Sequence, residues 1–282
     1  IAVERLKSEF DRSTVEGRLA YLWPNANRPA RLDAELSAGE IDLDAMLAFG
    51  NSALSGVGFE WPREVALALE IGRARIAGLD ARSTTARLKF DTNGLAIERL
   101  TVGDFGDASI EASGRIRTAA PPGGNITINL DARELNGILS LAEKFASPLA
   151  EPLRRLAGVQ RTAKLRADVS LQNAGSGNTQ GKLGLNGRIG AFRVNIAADA
   201  TGKPDAFAVT DLRGLSETDV RVESQFDADE GGALLTLLGL GRVAAVDKRP
   251  GRLSLLAQGP LSRDLQFSGD RKSTRLNSSH RT

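Results

Sequence analysis

Acidic side chains occur in close groups at several positions of this 282-residue chain. The groups are Asp42 with Asp44, Asp104 with Asp107, and Asp227 with Asp229 and Glu230. A glycosidase needs two carboxylates that face each other across a cleft, and carboxylates close together in one turn do not supply that separation. Asp227 to Gly231 also resembles part of a calcium loop, but it lacks the twelve-residue pattern that ends in a bidentate Glu. We therefore interpret these groups as solvated turns and strand edges.

The chain also lacks the residues that thiol catalysis and serine-based nucleophilic catalysis need. The chain has no Cys, which excludes thiol catalysis, Cys-ligated zinc and disulfides and is compatible with the periplasm without requiring it. The only histidine is His280, so serines such as Ser13 and Ser109 have no evident base. The glycines between 184 and 190 lack the strand and helix of a dinucleotide fingerprint. The sequence predicts no enzyme activity and no cofactor or metal.

The residues from Asp270 to His280 resemble one reading frame of a common sequencing adapter. We interpret residues 270–282 as an artefact of this kind and predict that they are disordered. Without them the chain has 33 basic and 34 acidic groups, a net charge of −1. The basic composition is then no argument for nucleic acid, and few aromatic residues are present to stack bases. We expect no nucleic-acid partner.

Apolar and polar residues alternate through most of the remaining chain, which predicts strands. Residues 14–22 and 31–35 predict a hairpin around the turn-rich segment 23–27, and Asn93-Gly94 predicts another hairpin with a type I′ turn. Five or more strands with tight turns follow Val65. The sequence therefore predicts a mainly β protein, in which repeated antiparallel meanders form an elongated curled sheet or groove with short interspersed helices.

A short phrase recurs three times, as Leu32-Asp33-Ala34, Leu130-Asp131-Ala132 and Phe226-Asp227-Ala228. A helix-compatible apolar run follows each copy, at residues 41–49, 135–156 and 233–246. Repeats of this length indicate an array of stacked units. We predict one repeat region over residues 1–269, with units of about 1–34, 35–132, 133–228 and a partial 229–269. The repeated Asp is interpreted as a helix cap, in preference to a ligand-binding group.

Neither end of the chain has the features of a natural terminus. Ile1 is not an initiator Met, and no signal peptide or stretch of about 20 uncharged apolar residues is present. We expect an internal fragment of a longer protein, truncated after Gly269.

The alternation gives each strand one dry side and one wet side. A dry side can pack into a core or line an apolar groove, and both interpretations remain open, as does the choice of which side faces inward. We select the bulkier set as groove candidates: Val65, Leu67, Leu69, Leu88, Phe90, Leu95, Ile97, Ile110, Leu165, Val169, Leu183, Leu185, Val194 and Ile196.

The segment between Val65 and Ile116 includes A-R-I-A-G-L-D-A, A-R-L-K-F and G-L-A-I-E-R-L-T-V-G-D-F-G-D-A-S-I-E-A-S-G-R-I. These phrases resemble the AsmA family of envelope proteins, and similar phrases extend the resemblance over nearly all of residues 1–269. The resemblance implies a parent protein anchored in the inner membrane, with a periplasmic body of repeated strands. Members of this family, and the related TamB and bridge-like lipid transfer proteins, are thought to shield phospholipid chains on their way to the outer membrane or otherwise to support envelope assembly.

The resemblance and the alternation together predict a non-enzymatic protein of outer-membrane biogenesis. Its partners would be phospholipid or another acyl-chain lipid, held along an apolar groove, and envelope proteins are a further option. One alternative is a scaffold that binds outer-membrane proteins through sheet edges without lipid cargo. A third, weaker alternative is a carbohydrate-active β-solenoid enzyme.

Overall fold

Strands dominate the computed structural model, which describes residues 2–10, 13–26, 28–42, 44–45, 62–76, 78–117, 119, 122–145, 154, 160–207, 218–237, 249–260 and 266–273. Within these ranges fourteen strands form one sheet, and their spatial order follows the chain. The strands are β1 Ala2–Phe10, β2 Ser13–Leu22, β3 Arg31–Asp42, β4 Glu64–Ile76, β5 Leu79–Asp91, β6 Gly94–Phe105, β7 Ala108–Arg117, β8 Gly123–Ala132, β9 Ala163–Gly175, β10 Asn178–Ile189, β11 Phe192–Gly202, β12 Asp219–Ala228, β13 Gly251–Pro260 and β14 Gln266–Ser273. The helices are α1 Asn136–Phe145, α2 Gly231–Leu237 and a 3-10 helix at Pro204–Phe207.

Neighbouring strands pair antiparallel everywhere except between β3 and β4, which run parallel from the pair Arg31 and Glu64. β1 and β14 are not paired with each other, so the sheet is open. The prediction of a mainly antiparallel β protein with short helices is confirmed. Parallel neighbours need a crossover connection, and the helix predicted at 41–49 lies where this crossover begins. The predicted start of this helix is wrong, because Ile41 and Asp42 belong to β3. Residues 43 and 46–49 lie outside the described ranges.

The strand register separates the sheet into an apolar face and a polar face. Across β7 to β13 one row of register partners reads Ile110, Leu130, Leu165, Gly187, Val194, Phe226 and Leu253. The row beside it reads Glu111, Asn129, Arg166, Asn186, Asn195, Gln225 and Ser254. Because successive side chains of a strand point to opposite faces, the alternation in the sequence becomes two chemically distinct surfaces.

The largest core cluster lies on the apolar face where the strands meet α1 and α2. Five of the seven residues in the outermost row of β7 to β13 are Ala or Gly. The row consists of Ala108, Ala132, Ala163, Ile189, Phe192, Ala228 and Gly251. Small side chains let a helix approach the sheet closely, and the first residue of α2, Gly231, lies against Gly251. Leu135 before α1 and Leu234 of α2 complete the cluster around Phe192. Smaller clusters surround Phe105 and Leu171.

The repeated Asp does not cap a helix, and that prediction is wrong. Asp131 is the second-to-last residue of β8, lies on the polar face and pairs with Lys164 at 3.1 Å. Asp227 is the second-to-last residue of β12 and pairs with Arg252 at 2.6 Å. In both cases the two residues are register partners on adjacent strands. The second and third copies of the phrase therefore end a strand before a helix, whereas Asp33 lies near the start of β3 and pairs with Arg31.

Both predicted hairpins are present, β2 with β3 and β5 with β6. The type I′ assignment is wrong, because neither Thr92 nor Asn93 has a positive φ. The Asp91 carboxylate accepts hydrogen bonds from the backbone N–H groups of Asn93 and Gly94, at 2.7 and 3.0 Å. A side chain that satisfies the turn in this way stabilises it without the left-handed backbone.

The predicted disorder of residues 270–282 is wrong for its first four residues. Residues 270–273 belong to β14 and pair with residues 251–254 of β13. Residues 274–282 lie outside the described ranges. The adapter origin of this segment remains a prediction.

A buried hydroxyl on the apolar face gives a stability prediction. Thr84 is 6% exposed, lies between its register partners Ile71 and Val102, and its Oγ1 has no hydrogen-bond partner. Because an unpaired buried hydroxyl is costly, Thr84→Val should raise the free energy of unfolding by about 1 kcal/mol. Urea denaturation measures the change. Thr85→Val, at the neighbouring position on the polar face, is the control. A loss of stability in Thr84→Val would contradict the conclusion that the Thr84 hydroxyl is buried without a partner.

Candidate apolar binding surface

All fourteen groove candidates lie on the apolar face. Register pairing connects Val65 to Phe90, Phe90 to Leu95, and onward across β7 to β13 without a change of face. Residues that are 131 positions apart in the sequence, such as Val65 and Ile196, therefore share one surface. This surface extends over ten consecutive strands from β4 to β13, a distance of about 45 Å at the usual strand spacing.

The candidates differ in how much of the side chain reaches solvent. Val194 is 3% exposed and belongs to the closed core around Phe192, so it is not available to a ligand. Leu183 is 36% exposed, and the other twelve candidates are half-buried. We name these twelve half-buried candidates together with Leu183 the mid-strand strip.

Within the described ranges, coverage of the apolar face is concentrated at the strand ends. At one end α1 and α2 pack over the row that contains Phe192. At the other end Phe207 of the 3-10 helix packs against Leu171 and Val169, with its ring in the space left by Gly181. Most of the mid-strand strip lies between these two ends, and its members Val65, Phe90 and Leu95 lie one residue from the ends of their strands.

Several residues of the same surface were not among the candidates. Leu255 of β13 is 37% exposed and continues the strip beyond Ile196, and Ile128 and Leu36 extend it on β8 and β3. Their alternation could have identified them. Leu100 is displaced from the simple alternation because β6 has a bulge between Ile97 and Leu100. A bulge adds one residue to a strand and so changes which residues reach a given face.

The polar face consists largely of paired charges. Lys89 pairs with Glu98 at 2.6 Å and Arg166 with Asp168 at 3.0 Å. Hydrogen bonds from Lys89 lower the pKa of Glu98, and hydrogen bonds from Arg166 and Thr127 lower the pKa of Asp168. Burial raises the pKa of Asp227, but hydrogen bonds from Arg252 and Gln225 outweigh it and leave this pKa below its ordinary value. These carboxylates are therefore ionised partners of nearby cations.

A cleft of about 980 Å³ lies against strands β1 to β6. Two ion pairs, Arg18 with Glu35 and Lys89 with Glu98, are among its walls, and Ala66 and Ala68 of β4 are between them. Within each of these two pairs the charges neutralise each other.

The acidic groups considered as catalytic candidates serve local structure in the described part of the chain. Asp42 accepts a hydrogen bond from the backbone of Ala45, and Asp44 from the backbone of Gly78. Asp104 pairs with Arg82 and Asp107 with Arg133. Asp229 pairs with Arg193. In the same ranges no group of three or more metal-ligating side chains is arranged to hold a metal ion.

Comparison of the chain with known proteins found no matching family model, no matching curated protein and no matching solved structure. Among the described helices, none combines the length and hydropathy that are needed to cross a bilayer.

Proposed function

We propose that this chain holds or conducts the acyl chains of phospholipids along the mid-strand strip. The observation that carries the proposal is the apolar face, which continues across ten strands with mostly half-buried large side chains in the mid-strand strip, while the described helices cover it only at the strand ends. In this proposal the chain acts without catalysis, in outer-membrane biogenesis, as a periplasmic part of a parent protein anchored in the inner membrane. Membership of the AsmA family remains part of the proposal and rests on the sequence resemblance.

The physical basis is the removal of apolar surface from water. A large contiguous apolar patch on a protein surface marks an interaction site, and an acyl chain laid on the strip would bury both surfaces. Leu183 and Leu255, which are 36% and 37% exposed, have the most area to lose. The ion pairs of the polar face would keep the loaded protein in solution, since they face water on the opposite side of the sheet.

Two adjacent residues of β10 provide a matched test. Leu183 points to the apolar face, and Lys182 points to the polar face. Leu183→Glu should lower the affinity for the fluorescent fatty acid cis-parinaric acid by about tenfold or more, because a carboxylate in the strip must be desolvated when the chain binds. Lys182→Glu should leave the affinity within about twofold, because surface charge changes are small effects. Fluorescence titration of the 282-residue chain measures both.

Equal affinities of the two variants would contradict the proposal. Native mass spectrometry of the purified chain is the second measurement, and we expect co-purifying phospholipid in the unmodified chain and in Lys182→Glu. A well-folded chain that carries no phospholipid and binds no cis-parinaric acid would also contradict it.

The open sheet edges favour the scaffold as a second candidate function. Among the described strands, β1 and β14 each pair on one side only. An unpaired edge can accept a strand from a partner protein, which would be an envelope protein here. A scaffold of this kind would bind its partner equally well with Leu183→Glu, so the same variant separates the two functions.

A further inference from the structure

The most exposed large apolar side chains in the described residues lie together at the connection between β2 and β3. Leu22 is 52% exposed and Trp23 is 56% exposed. They follow Tyr21, which is 6% exposed and meets the Trp23 ring edge-on at a centroid distance of 4.9 Å. The buried tyrosine thus fixes a tryptophan whose other surface is open. We name residues 22–26 together with Arg28 the tip.

The turn after Trp23 is closed by its own backbone. The N–H of Asn25 donates to the carbonyl of Arg28 at 3.0 Å, and the N–H of Arg28 donates back to Asn25 at 3.2 Å. These two bonds hold Arg28 next to Asn25 and so close to Trp23.

Arginines outnumber carboxylates around the tip, with Arg28, Arg31 and Arg63 against Asp33 and Glu64. Residues 22–31 include Arg28 and Arg31 and no acidic residue. Arg31 is engaged with Asp33, but Arg28 is exposed. Arg63 is also exposed, and its backbone N–H donates to the carbonyl of Ala30 at 3.0 Å, so it joins the tip at the same end of the sheet.

We propose that the tip docks on the surface of an anionic phospholipid bilayer. Tryptophan and leucine can enter the boundary between headgroups and acyl chains, where the amphipathic indole is favoured. Arg28 and Arg63 match the negative potential of anionic lipid. A partner protein would explain the exposed apolar pair as well, but the two arginines beside a tryptophan at the same end of the sheet favour the lipid surface.

The tip adjoins one end of the apolar face. Tyr21 is the register partner of Leu32, and Leu32 is the register partner of Val65, the first of the groove candidates. A bilayer at the tip would therefore lie at the edge of the apolar face. Docking itself does not depend on acyl-chain binding by the mid-strand strip, so the two proposals are tested separately.

Co-sedimentation with vesicles tests the docking. We expect the 282-residue chain to bind vesicles of equal parts phosphatidylglycerol and phosphatidylcholine, and to bind vesicles of phosphatidylcholine alone more weakly. Leu22→Ser combined with Trp23→Ser should lower binding to the mixed vesicles by about tenfold, because the apolar area that enters the bilayer is removed. Arg28→Glu and Arg63→Glu should each lower it by about fivefold or more.

The controls use the apolar face. Leu255→Ser removes an apolar side chain that is 37% exposed but lies far along the sheet on β13, and Leu183→Glu impairs the mid-strand strip. Both should bind vesicles like the unmodified chain, while the tip variants should bind cis-parinaric acid like the unmodified chain. Circular dichroism spectra that match the unmodified chain establish that each variant is folded.

Three results would overturn the docking proposal. One is vesicle binding that the tip variants do not reduce. Another is vesicle binding that Leu183→Glu abolishes, because the apolar face would then be the site of contact. The third is a folded chain that binds no vesicles but forms a dimer that the tip variants abolish in analytical ultracentrifugation, because the tip would then be an interface between copies.

Discussion

Phe192→Ala should lower the free energy of unfolding by about 3–5 kcal/mol, the range observed when a buried aromatic side chain is truncated. Phe192 is fully buried, and the neighbouring register partner on β12 is Ala228. Leu234 of α2, also fully buried, packs in the same cluster. Alanines cannot extend into the vacated space, so we expect a cavity that relaxes little and a loss near the upper part of the range.

Hydrogen exchange should show that this loss is regional. The cluster around Phe192 joins β7 to β13 with α2, whereas the cluster around Phe105 lies among β2 to β7. In an array of stacked units each unit contacts mainly its neighbours, so protection should fall in β10 to β13 and remain in β4 and β5.

Phe90→Ala is the matched control, because Phe90 is half-buried on the same face and should cost about 1 to 2 kcal/mol. Equal losses for the two variants would show that the helices do not seal the cluster around Phe192.

Gly187→Ala should lower the free energy of unfolding by about 3 kcal/mol, from backbone strain and overpacking together. Gly187 lies inside β10 with φ of +145°, a conformation that side chains rarely adopt. A Cβ at this position would overlap the carbonyl oxygen of Lys164 and lie 2.9 Å from the Cα of Leu165. Both are backbone atoms of the paired strand β9, so a rotamer change cannot relieve the overlap.

Gly184 of the same strand is the matched control. No heavy atom lies within 4 Å of a Cβ built on Gly184. Gly184→Ala should therefore leave stability within about 0.5 kcal/mol or raise it slightly, since alanine loses less backbone freedom on folding. Urea denaturation followed by circular dichroism measures both variants. A similar small effect at Gly187 would indicate that β10 can shift relative to β9.

The sequence alone was sufficient to predict which residues share a surface. Leu88 and Ile196 were grouped only because each alternates with polar neighbours, and the register places both on the apolar face. The prediction succeeds because a strand has a side-chain period of two, so the face of a residue is fixed by its immediate neighbours. The hairpin turn after Asp91 could also be predicted, because the residues that form it are adjacent in the sequence.

Features that depend on distant parts of the chain were missed or misassigned. Val194 and Ile196 are indistinguishable by alternation, yet α1 and α2 close the cluster that buries the first and leave the second half-buried. Asp131 looked like a helix cap from its position before an apolar run, but Lys164 across the strand pair takes its carboxylate. The parallel pairing of β3 with β4 was likewise not predicted.

The sequence by itself therefore determined most of the strands, their apolar and polar faces and the membership of the apolar strip, because these follow from the period of a strand. The tertiary structure decided the strand order, the cross-strand ion pairs, and above all which part of the apolar face the helices cover. Coverage depends on contacts between segments that are far apart in the chain, and no local pattern encodes how closely a helix can approach a row of alanines.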